Sequence, residues 1–115
     1  MPDEDCLFCK MGRGEIPVPR VAENEHAFAI RDIHPRAPVH VLVIPKDHIP
    51  TAREVTADHG AILTGLFALS QEVARAEGLF EPGYRLAFNV GEAAGMTISH
   101  LHMHLLGARR LGPEG

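Results

Sequence analysis

Three histidines alternate with apolar residues in the segment His100-Leu101-His102-Met103-His104. Strict alternation is typical of a half-buried β-strand, because successive side chains of a strand point to opposite faces. The pattern therefore predicts a strand over 100–104 whose three imidazoles share one face. Imidazole titrates near neutral pH, ligates metals and can act as a nucleophile. We interpret the triplet as a functional site rather than as a solvated strand face.

Strand geometry limits what the three imidazoles can do together. At roughly 3.3 Å per residue, the Cα atoms of His100 and His104 lie about 13 Å apart on a straight strand. Metal–nitrogen bonds of about 2 Å do not allow all three to ligate one ion from such a strand. Either two of the three bind a metal, or the histidines have different roles.

The rest of the chain predicts an α+β fold with an antiparallel sheet. Ile62, Leu66, Leu69, Val73 and Ala76 form one apolar stripe at helical spacing, and Gly78 is suited to end that long helix. A short helix or turn is expected over 6–14. Further strands are predicted over 26–31, 39–44 and 84–90. The order of these elements indicates a single domain over 1–115 without an alternating βαβ pattern.

Charge and hydropathy exclude some classes of function. The net charge of −4 argues against a general nucleic-acid binder, although a single phosphate group could still bind at a locally positive site. No apolar run is long enough to cross a membrane, and the acidic start Met1-Pro2-Asp3-Glu4-Asp5 is unlike a signal peptide. We therefore expect a cytoplasmic protein with no nucleic-acid or membrane partner.

Cys6 and Cys9 form a Cys-x-x-Cys pair, the only cysteines of the chain. In a reducing compartment this spacing favours half of a metal site, then a redox pair, then two unrelated buried thiols. The pair gains meaning only if two further ligands can be named.

A glycine-containing loop precedes the histidine segment. Gly91 and Gly95 permit close approach of backbone amides to a ligand, Thr97 offers a hydroxyl, and Asn89 offers an amide. Glycine loops beside imidazoles suit a phosphate group and a histidine nucleophile.

The segment 100–106 resembles the signature of the histidine-triad family of nucleotide hydrolases and transferases. The likeness covers nearly the whole chain, because 6–10, 14–17, 31–40, 42–48 and 83–85 also resemble family segments in the expected order. Within the family, Leu106-Gly107-Ala108-Arg109 is most similar to the branch of small purine-nucleoside phosphoramidate hydrolases.

The resemblance implies a fold and an activity. The fold would be a five-stranded antiparallel sheet with one long and one short helix, and the sheet would continue across a homodimer. The enzyme would cleave purine nucleoside phosphoramidates or related adducts at the α-phosphorus through a covalent nucleotidyl-histidine. Alternatives are a dinucleoside polyphosphate hydrolase, a zinc-stabilised nucleotide-binding module with little turnover, and a hydrolase that uses the histidines as catalytic metal ligands.

The resemblance also implies roles for individual residues. His102 would be the nucleophile and His104 would bind phosphate oxygens. Asn89, Gly95 and Thr97 would hold the phosphate and the leaving group, with Thr97 counted among the catalytic residues. Asp32 would bind the ribose hydroxyls. The base would lie among five apolar side chains, whose alternative role is core packing: Leu7, Phe8, Met11, Ile30 and Ile33.

A structural zinc ion is implied by the same resemblance, with no organic cofactor. Its ligands would be Cys6, Cys9, His48 and His100. This assignment separates His100 from His102, although an ideal strand would place both on one face. A twisted or bulged strand start would resolve the conflict.

Several positions depart from the family pattern. Met96 stands where a glutamine is frequent, Thr97 replaces a serine, and Ala108 replaces a glycine. The tail lacks the tryptophan that this branch often carries near its end. Because the tail in that branch helps to shape the partner subunit's site, leaving-group preference is the least determined property. His26, His34, His40 and His59 receive no catalytic role, and His40 is expected to be structural.

Overall fold

A five-stranded sheet organises the protein, whose computed structural model describes residues 5–114. The strands lie in the order β1-β2-β3-β5-β4, and each neighbouring pair is antiparallel. The predicted α+β class and the sheet of about five antiparallel strands are confirmed. The strands are β1 (Ala22–Glu23), β2 (Ala27–Arg31), β3 (Val39–Pro45), β4 (Arg85–Ala87) and β5 (Met103–Gly107).

The helix α2 (Gly60–Ala76) covers one face of the sheet. The short 3₁₀ turn Ala57–His59 precedes this helix. At its start the Thr56 side chain accepts a hydrogen bond from the Asp58 backbone N–H. Its exit passes through Gly78 at φ +74°, as a glycine after a helix end allows. Ala76 of the predicted stripe is exposed, and Ala74 is buried instead. The packed residues include Ala29, Val41, Val43, Leu66, Leu69, Val73, Met103 and Leu105.

The short helix α1 (Leu7–Gly12) covers the opposite face. Phe8 is 2% exposed and packs with Phe28, Ile30, Leu42 and Ile44. These are the alternate residues of β2 and β3, because side chains alternate along a strand. Burying a phenylalanine contributes about 1.5–3 kcal/mol, which ties this short helix to the sheet.

Strand register places the polar groups of the site on the α1 face. Leu42 pairs with His104, and His40 pairs with Leu106. His40 and His104 therefore lie on the same face as Leu42, away from α2.

The histidine strand begins later than predicted. β5 starts at Met103, and His100 lies in a bend. Contacts outside the sheet ladder hold this stretch: the Leu101 backbone N–H donates to the Ile49 carbonyl at 2.6 Å, and the His100 ring contacts the Pro45 carbonyl at 2.8 Å. The strand predicted over 100–104 is therefore found only for Met103 and His104, and the prediction that all three imidazoles share one strand face is wrong.

Two other strand predictions need correction. β4 occupies only Arg85–Ala87 of the predicted 84–90, and the two-residue strand β1 was not predicted. Residues 1–4 and 115 of the predicted domain lie outside the described residues. Among the helices of residues 5–114, none is both long and apolar enough to cross a membrane.

Two helical glycines offer a test of the packing between α2 and the sheet. A Cβ added at Gly65 would come within 2.8 Å of the His26 Cβ, whereas a Cβ at Gly60 would meet no heavy atom within 4 Å. We expect Gly65→Ala to lower the free energy of unfolding by about 1–3 kcal/mol through overpacking. Gly60→Ala should leave it unchanged or raise it by up to about 1 kcal/mol. Urea unfolding of both variants measures this, and equal stabilities would contradict the packing.

Candidate active site and metal centre

Four side chains that could ligate a metal ion converge at the N-terminus of α1. The Nδ1 atom of His100 lies 3.2 Å from Cys6 Sγ, 3.4 Å from Cys9 Sγ and 3.2 Å from His48 Nδ1. Cys9 Sγ lies 3.3 Å from His48 Nδ1. The four ligand atoms all lie within 4.8 Å of one another, so the structure forms a candidate metal centre.

The geometry of the cluster fits a tetrahedral ion. Bond lengths of about 2.0–2.3 Å place tetrahedral ligand atoms roughly 3.3–3.8 Å apart, which is close to the observed separations. The His100 Nε2–H donates to the Pro45 carbonyl at 2.8 Å, and this leaves the lone pair of the neutral ring on Nδ1. Burial, the largest cause, lowers the pKa of His100 to about 4, so the ring is neutral as a metal ligand must be.

His102 has a fixed tautomer in its neutral form. Its Nδ1 lies 2.7 Å from the His100 carbonyl oxygen, which can only accept a hydrogen bond. The proton therefore sits on Nδ1 and the lone pair sits on Nε2. The ring is 9% exposed and packs edge-on against Phe8, with ring centres 5.2 Å apart. The same Phe8 ring meets His100 at 5.8 Å.

A chain of hydrogen bonds fixes the tautomer of His104 in the opposite sense. The Arg36 backbone N–H donates to His40 Nδ1 at 3.1 Å, so the proton of neutral His40 is on Nε2. That Nε2–H donates to His104 Nδ1 at 2.9 Å. The Arg36 guanidinium lies 3.3 Å from the same Nδ1 atom. His104 therefore carries its proton on Nε2. The Asn89 Nδ2 atom lies 3.3 Å from this nitrogen and is itself a donor, so the contact is not a hydrogen bond and both groups can donate to a ligand.

Asp32 supports this chain from the turn after β2. One carboxylate oxygen accepts the His34 backbone N–H at 2.8 Å, and the other lies 3.4 Å from His40 Nε2. The prediction that Asp32 binds a ribose stays a prediction, and the structure adds its contact with His40.

Burial favours the neutral form of His40 and His104, the two histidines in this series of hydrogen bonds. Desolvation is the largest cause that lowers the pKa of His104 to about 4, and the neighbouring His102, His40 and Arg36 lower it further. Burial also lowers the pKa of His40, although the nearby Asp32 carboxylate opposes that shift. At pH 7 His104 can donate its Nε2–H, and it carries no charge.

The residues predicted for the base pocket do not share one environment. Phe8 and Ile30 are buried in the core below α1, and Met11 packs partly against them. Leu7 is 39% exposed and Ile33 is 86% exposed. Core packing therefore accounts for Phe8 and Ile30 in this structure, whereas Leu7 and Ile33 have surface free for a ligand.

The glycine loop has the backbone that its sequence suggested. Gly91 and Gly95 have φ values of +81° and +87°, which glycine adopts without strain. Thr97 lies on the wall of a cavity of about 560 Å³ that Cys6, Leu7 and His48 also line. Contact of Gly95 or Thr97 with a phosphate stays a prediction.

Sequence reasoning missed two members of the site. His40 was expected to be structural, and Arg36 was not considered, yet both contact His104. Alternation along β3 could have placed His40 on the face of the site, because a polar residue stands there in an otherwise apolar strand. Arg36 reaches the site through a turn that has no periodic pattern.

Comparison with known proteins identifies the class to which this fold and histidine arrangement belong. The family model described as HIT domain matches residues 13–111. The chain therefore belongs to the HIT family, as the sequence resemblance indicated.

Similar relatives and solved structures agree with this assignment. The chain is 43% identical over 110 residues to the purine nucleoside phosphoramidase of Escherichia coli K12, covering 96% of this chain and 92% of that protein. It is 49% identical over 113 residues to an uncharacterized HIT-like protein of Synechococcus elongatus, covering 97% and 98%. A HIT family hydrolase from Legionella pneumophila superposes with a TM-score of 0.93 at 46% identity, covering 96% and 100%. The prediction that the chain is a hydrolase is confirmed at this level.

The neutral state of His104 predicts how stability depends on pH. In the folded protein this ring binds a proton only near pH 4, whereas an unfolded histidine binds one near pH 6.5. Lowering the pH through this window therefore favours unfolding, by about 3 kcal/mol at most from His104. Urea unfolding between pH 7 and 4 should show a steeper loss for the wild type than for His104→Asn. Parallel losses would show that His104 does not titrate in this way.

Proposed function

We propose that the protein hydrolyses purine nucleoside phosphoramidates or related adducts at the α-phosphorus, through a covalent nucleotidyl-histidine on His102, and releases a nucleoside monophosphate. The single observation that carries this proposal is the hydrogen bond from His102 Nδ1 to the His100 carbonyl, at 2.7 Å. It leaves a lone pair on Nε2, the atom that must attack phosphorus.

The first step forms one bond and breaks one. His102 Nε2 attacks the α-phosphorus, and the bond from phosphorus to the leaving nitrogen breaks as that nitrogen takes a proton from solvent water and departs as the amine. Positive charge develops on the His102 ring, and the His100 carbonyl at 2.7 Å stabilises it through the Nδ1–H. We assign the Thr97 hydroxyl to a phosphate oxygen beside the bond that breaks.

The second step restores the enzyme. Water attacks the nucleotidyl phosphorus, loses a proton, and displaces His102 Nε2. In both steps His104 donates its Nε2–H to a phosphate oxygen, and the Asn89 amide beside it supports the same group. Fixed donors of this kind need no reorganisation as charge builds up on the phosphate oxygens.

The nucleoside would extend from the phosphate toward α1 and the turn after β2. Asp32 binds the ribose hydroxyls in this proposal, and the base contacts the exposed surface of Leu7 and Ile33 beside Met11. Gly95 leaves room for the phosphate at the loop. The Escherichia coli relative named purine nucleoside phosphoramidase supports both the purine base and the phosphorus–nitrogen bond.

A zinc ion would be held by Cys6, Cys9, His48 and His100. Two sulfur and two nitrogen ligands make a closed tetrahedral site, and this donor set favours zinc. Such an ion would fasten α1 to the segment that leads into β5. With no position open for water or substrate, it would act on stability and positioning.

We also propose that the protein forms a homodimer whose sheet continues from one chain to the next. We propose that it is located in the cytoplasm. In one chain the edge strands of the sheet are β1 and β4, and either edge offers backbone groups for such pairing.

Two other functions remain to be separated by experiment. A dinucleoside polyphosphate hydrolase would use the same His102 with a phosphate leaving group. A zinc-stabilised nucleotide-binding module would bind nucleotides with little turnover. The buried, tautomerically fixed pair His102 and His104 favours an enzyme, because binding alone does not need an unprotonated nitrogen.

The covalent intermediate can be trapped directly. Mixing the protein briefly with an adenosine phosphoramidate and quenching with acid should add one AMP mass to the wild type. His102→Ala should show no adduct, whereas His59→Ala, which removes an imidazole at the start of α2, should show the wild-type adduct. Intact-protein mass spectrometry measures all three, and an adduct on His102→Ala would overturn the assignment of the nucleophile. Absence of any adduct or AMP release would favour the binding module.

Metal removal should reduce stability before it affects chemistry. We expect about one zinc ion per chain by elemental analysis, and none in Cys9→Ser. When free zinc is present at about a thousand times its dissociation constant, removing it should lower the free energy of unfolding by about 4 kcal/mol. Urea unfolding with and without chelator measures this, with Cys9→Ser as the variant that chelator should not affect. Immediate loss of turnover in a protein that stays folded would instead indicate a catalytic metal.

A further inference from the structure

A second cavity adjoins His104 on the side of β4. It has a volume of about 240 Å³, and its walls include Arg36, Arg85, Arg109, Asn89 and His104. Arg85 pairs with Leu106 across the β4–β5 ladder, so it lies on the same face of the sheet as His104. The cavity is therefore continuous with two of the residues that we assign to the phosphate.

The three arginines of this cavity lack carboxylate partners among residues 5–114. Arg85 donates to the Gly112 carbonyl at 2.7 Å, and Arg109 donates to the Arg36 and Arg110 carbonyls at 2.9 Å each. The ion pairs of the described chain involve other residues: Arg13, Arg20, Arg31, His26, His40 and Lys46. The one carboxylate among the described wall residues is Glu114, so the wall is positively charged in a protein of net charge −4.

The guanidinium groups of this wall retain donors that an anion could use. Like charges held on one small surface repel one another, and each guanidinium has five N–H donors of which only one or two are used here. Guanidinium groups bind phosphate and carboxylate in a bidentate manner. His104 carries no charge at pH 7, so the positive charge next to the phosphate site comes from the arginines.

We infer that the arginine-lined cavity binds an anionic group on the leaving-group side of the substrate, a phosphate or carboxylate attached close to the scissile bond. The inference rests on the proposed function, because it describes what departs when His102 attacks. It assigns Arg85 and Arg109 as specificity-determining residues, and it favours substrates whose leaving group is negatively charged over those whose leaving group is neutral or cationic.

The test uses four AMP phosphoramidates that break the same bond and release the same AMP. Their amines carry a neutral propyl, a carboxymethyl, a phosphonoethyl or an ammoniopropyl group. For the wild type, we expect kcat/KM to be about tenfold higher for the two anionic amides than for the neutral one, as charged hydrogen bonds allow. The cationic amide should be the poorest substrate. A preference for phosphonate over carboxylate, or the reverse, identifies which anion the cavity takes and supports the inference either way.

Two variants connect the preference to the cavity. The double variant Arg85→Gln/Arg109→Gln should have a ratio of kcat/KM, anionic amide to neutral amide, that is about tenfold lower than that of the wild type. Arg75→Gln removes the same charge from α2, where its guanidinium stacks on Phe80, and should keep the wild-type ratio. Urea unfolding should show that the double variant is as stable as the wild type.

The outcomes separate the two proposals. Release of AMP from all four amides with equal kcat/KM would overturn the anion subsite and leave the proposed reaction intact. An unchanged ratio in the double variant would also overturn the subsite. Failure to release AMP from any amide would instead overturn the proposed reaction, and the subsite with it.

Discussion

The hydrogen bond between the His102 ring and the His100 carbonyl is the interaction on which the rest of the site depends. His100 is held at three points: its Nδ1 faces two sulfur atoms and His48, its Nε2 contacts the Pro45 carbonyl, and its own carbonyl meets His102. A residue fixed in this way cannot turn without disturbing all three contacts. The orientation of the proposed nucleophile is thus set by backbone geometry and by the neighbouring cluster of two cysteines and two histidines.

Burial supplies the second constraint. Water would let the His40 and His104 imidazoles exchange tautomers and take up a proton near pH 6.5, whereas burial on the covered face of the sheet lowers the pKa of both. The backbone N–H of Arg36 then decides the tautomer of His40, and His40 decides that of His104. The His100 carbonyl fixes His102 separately, so His102 presents a lone pair and His104 presents a proton, although the two side chains are chemically identical.

Much of this arrangement could be predicted from the sequence, and the failures have physical causes. The alternation around His102 and the apolar run of β3 predicted strands, because periodicity reports which faces are buried. The alternating pattern does not reveal contacts outside the hydrogen-bonded ladder of the sheet. It therefore predicted a strand that begins at His100, before the observed start of β5. The convergence of Cys6, Cys9, His48 and His100 came from family resemblance, since no local pattern connects residues 94 positions apart. Arg36 acts from a turn and leaves no periodic signal. His40 was placed correctly in a strand with a structural role, but its hydrogen bond to His104 was not predicted.

The position of α1 has a consequence for how the protein is made. This helix has six residues, which is too short to be stable in isolation. Its partners are distant in sequence, because Cys6 meets His100 across 94 positions and Cys9 meets His48 across 39. During synthesis both thiols emerge before His48 and His100, so their full ligand set is complete only after His100 has left the ribosome. The segment with α1 therefore docks only after His100 has been made, and the nascent chain exposes both cysteines until then.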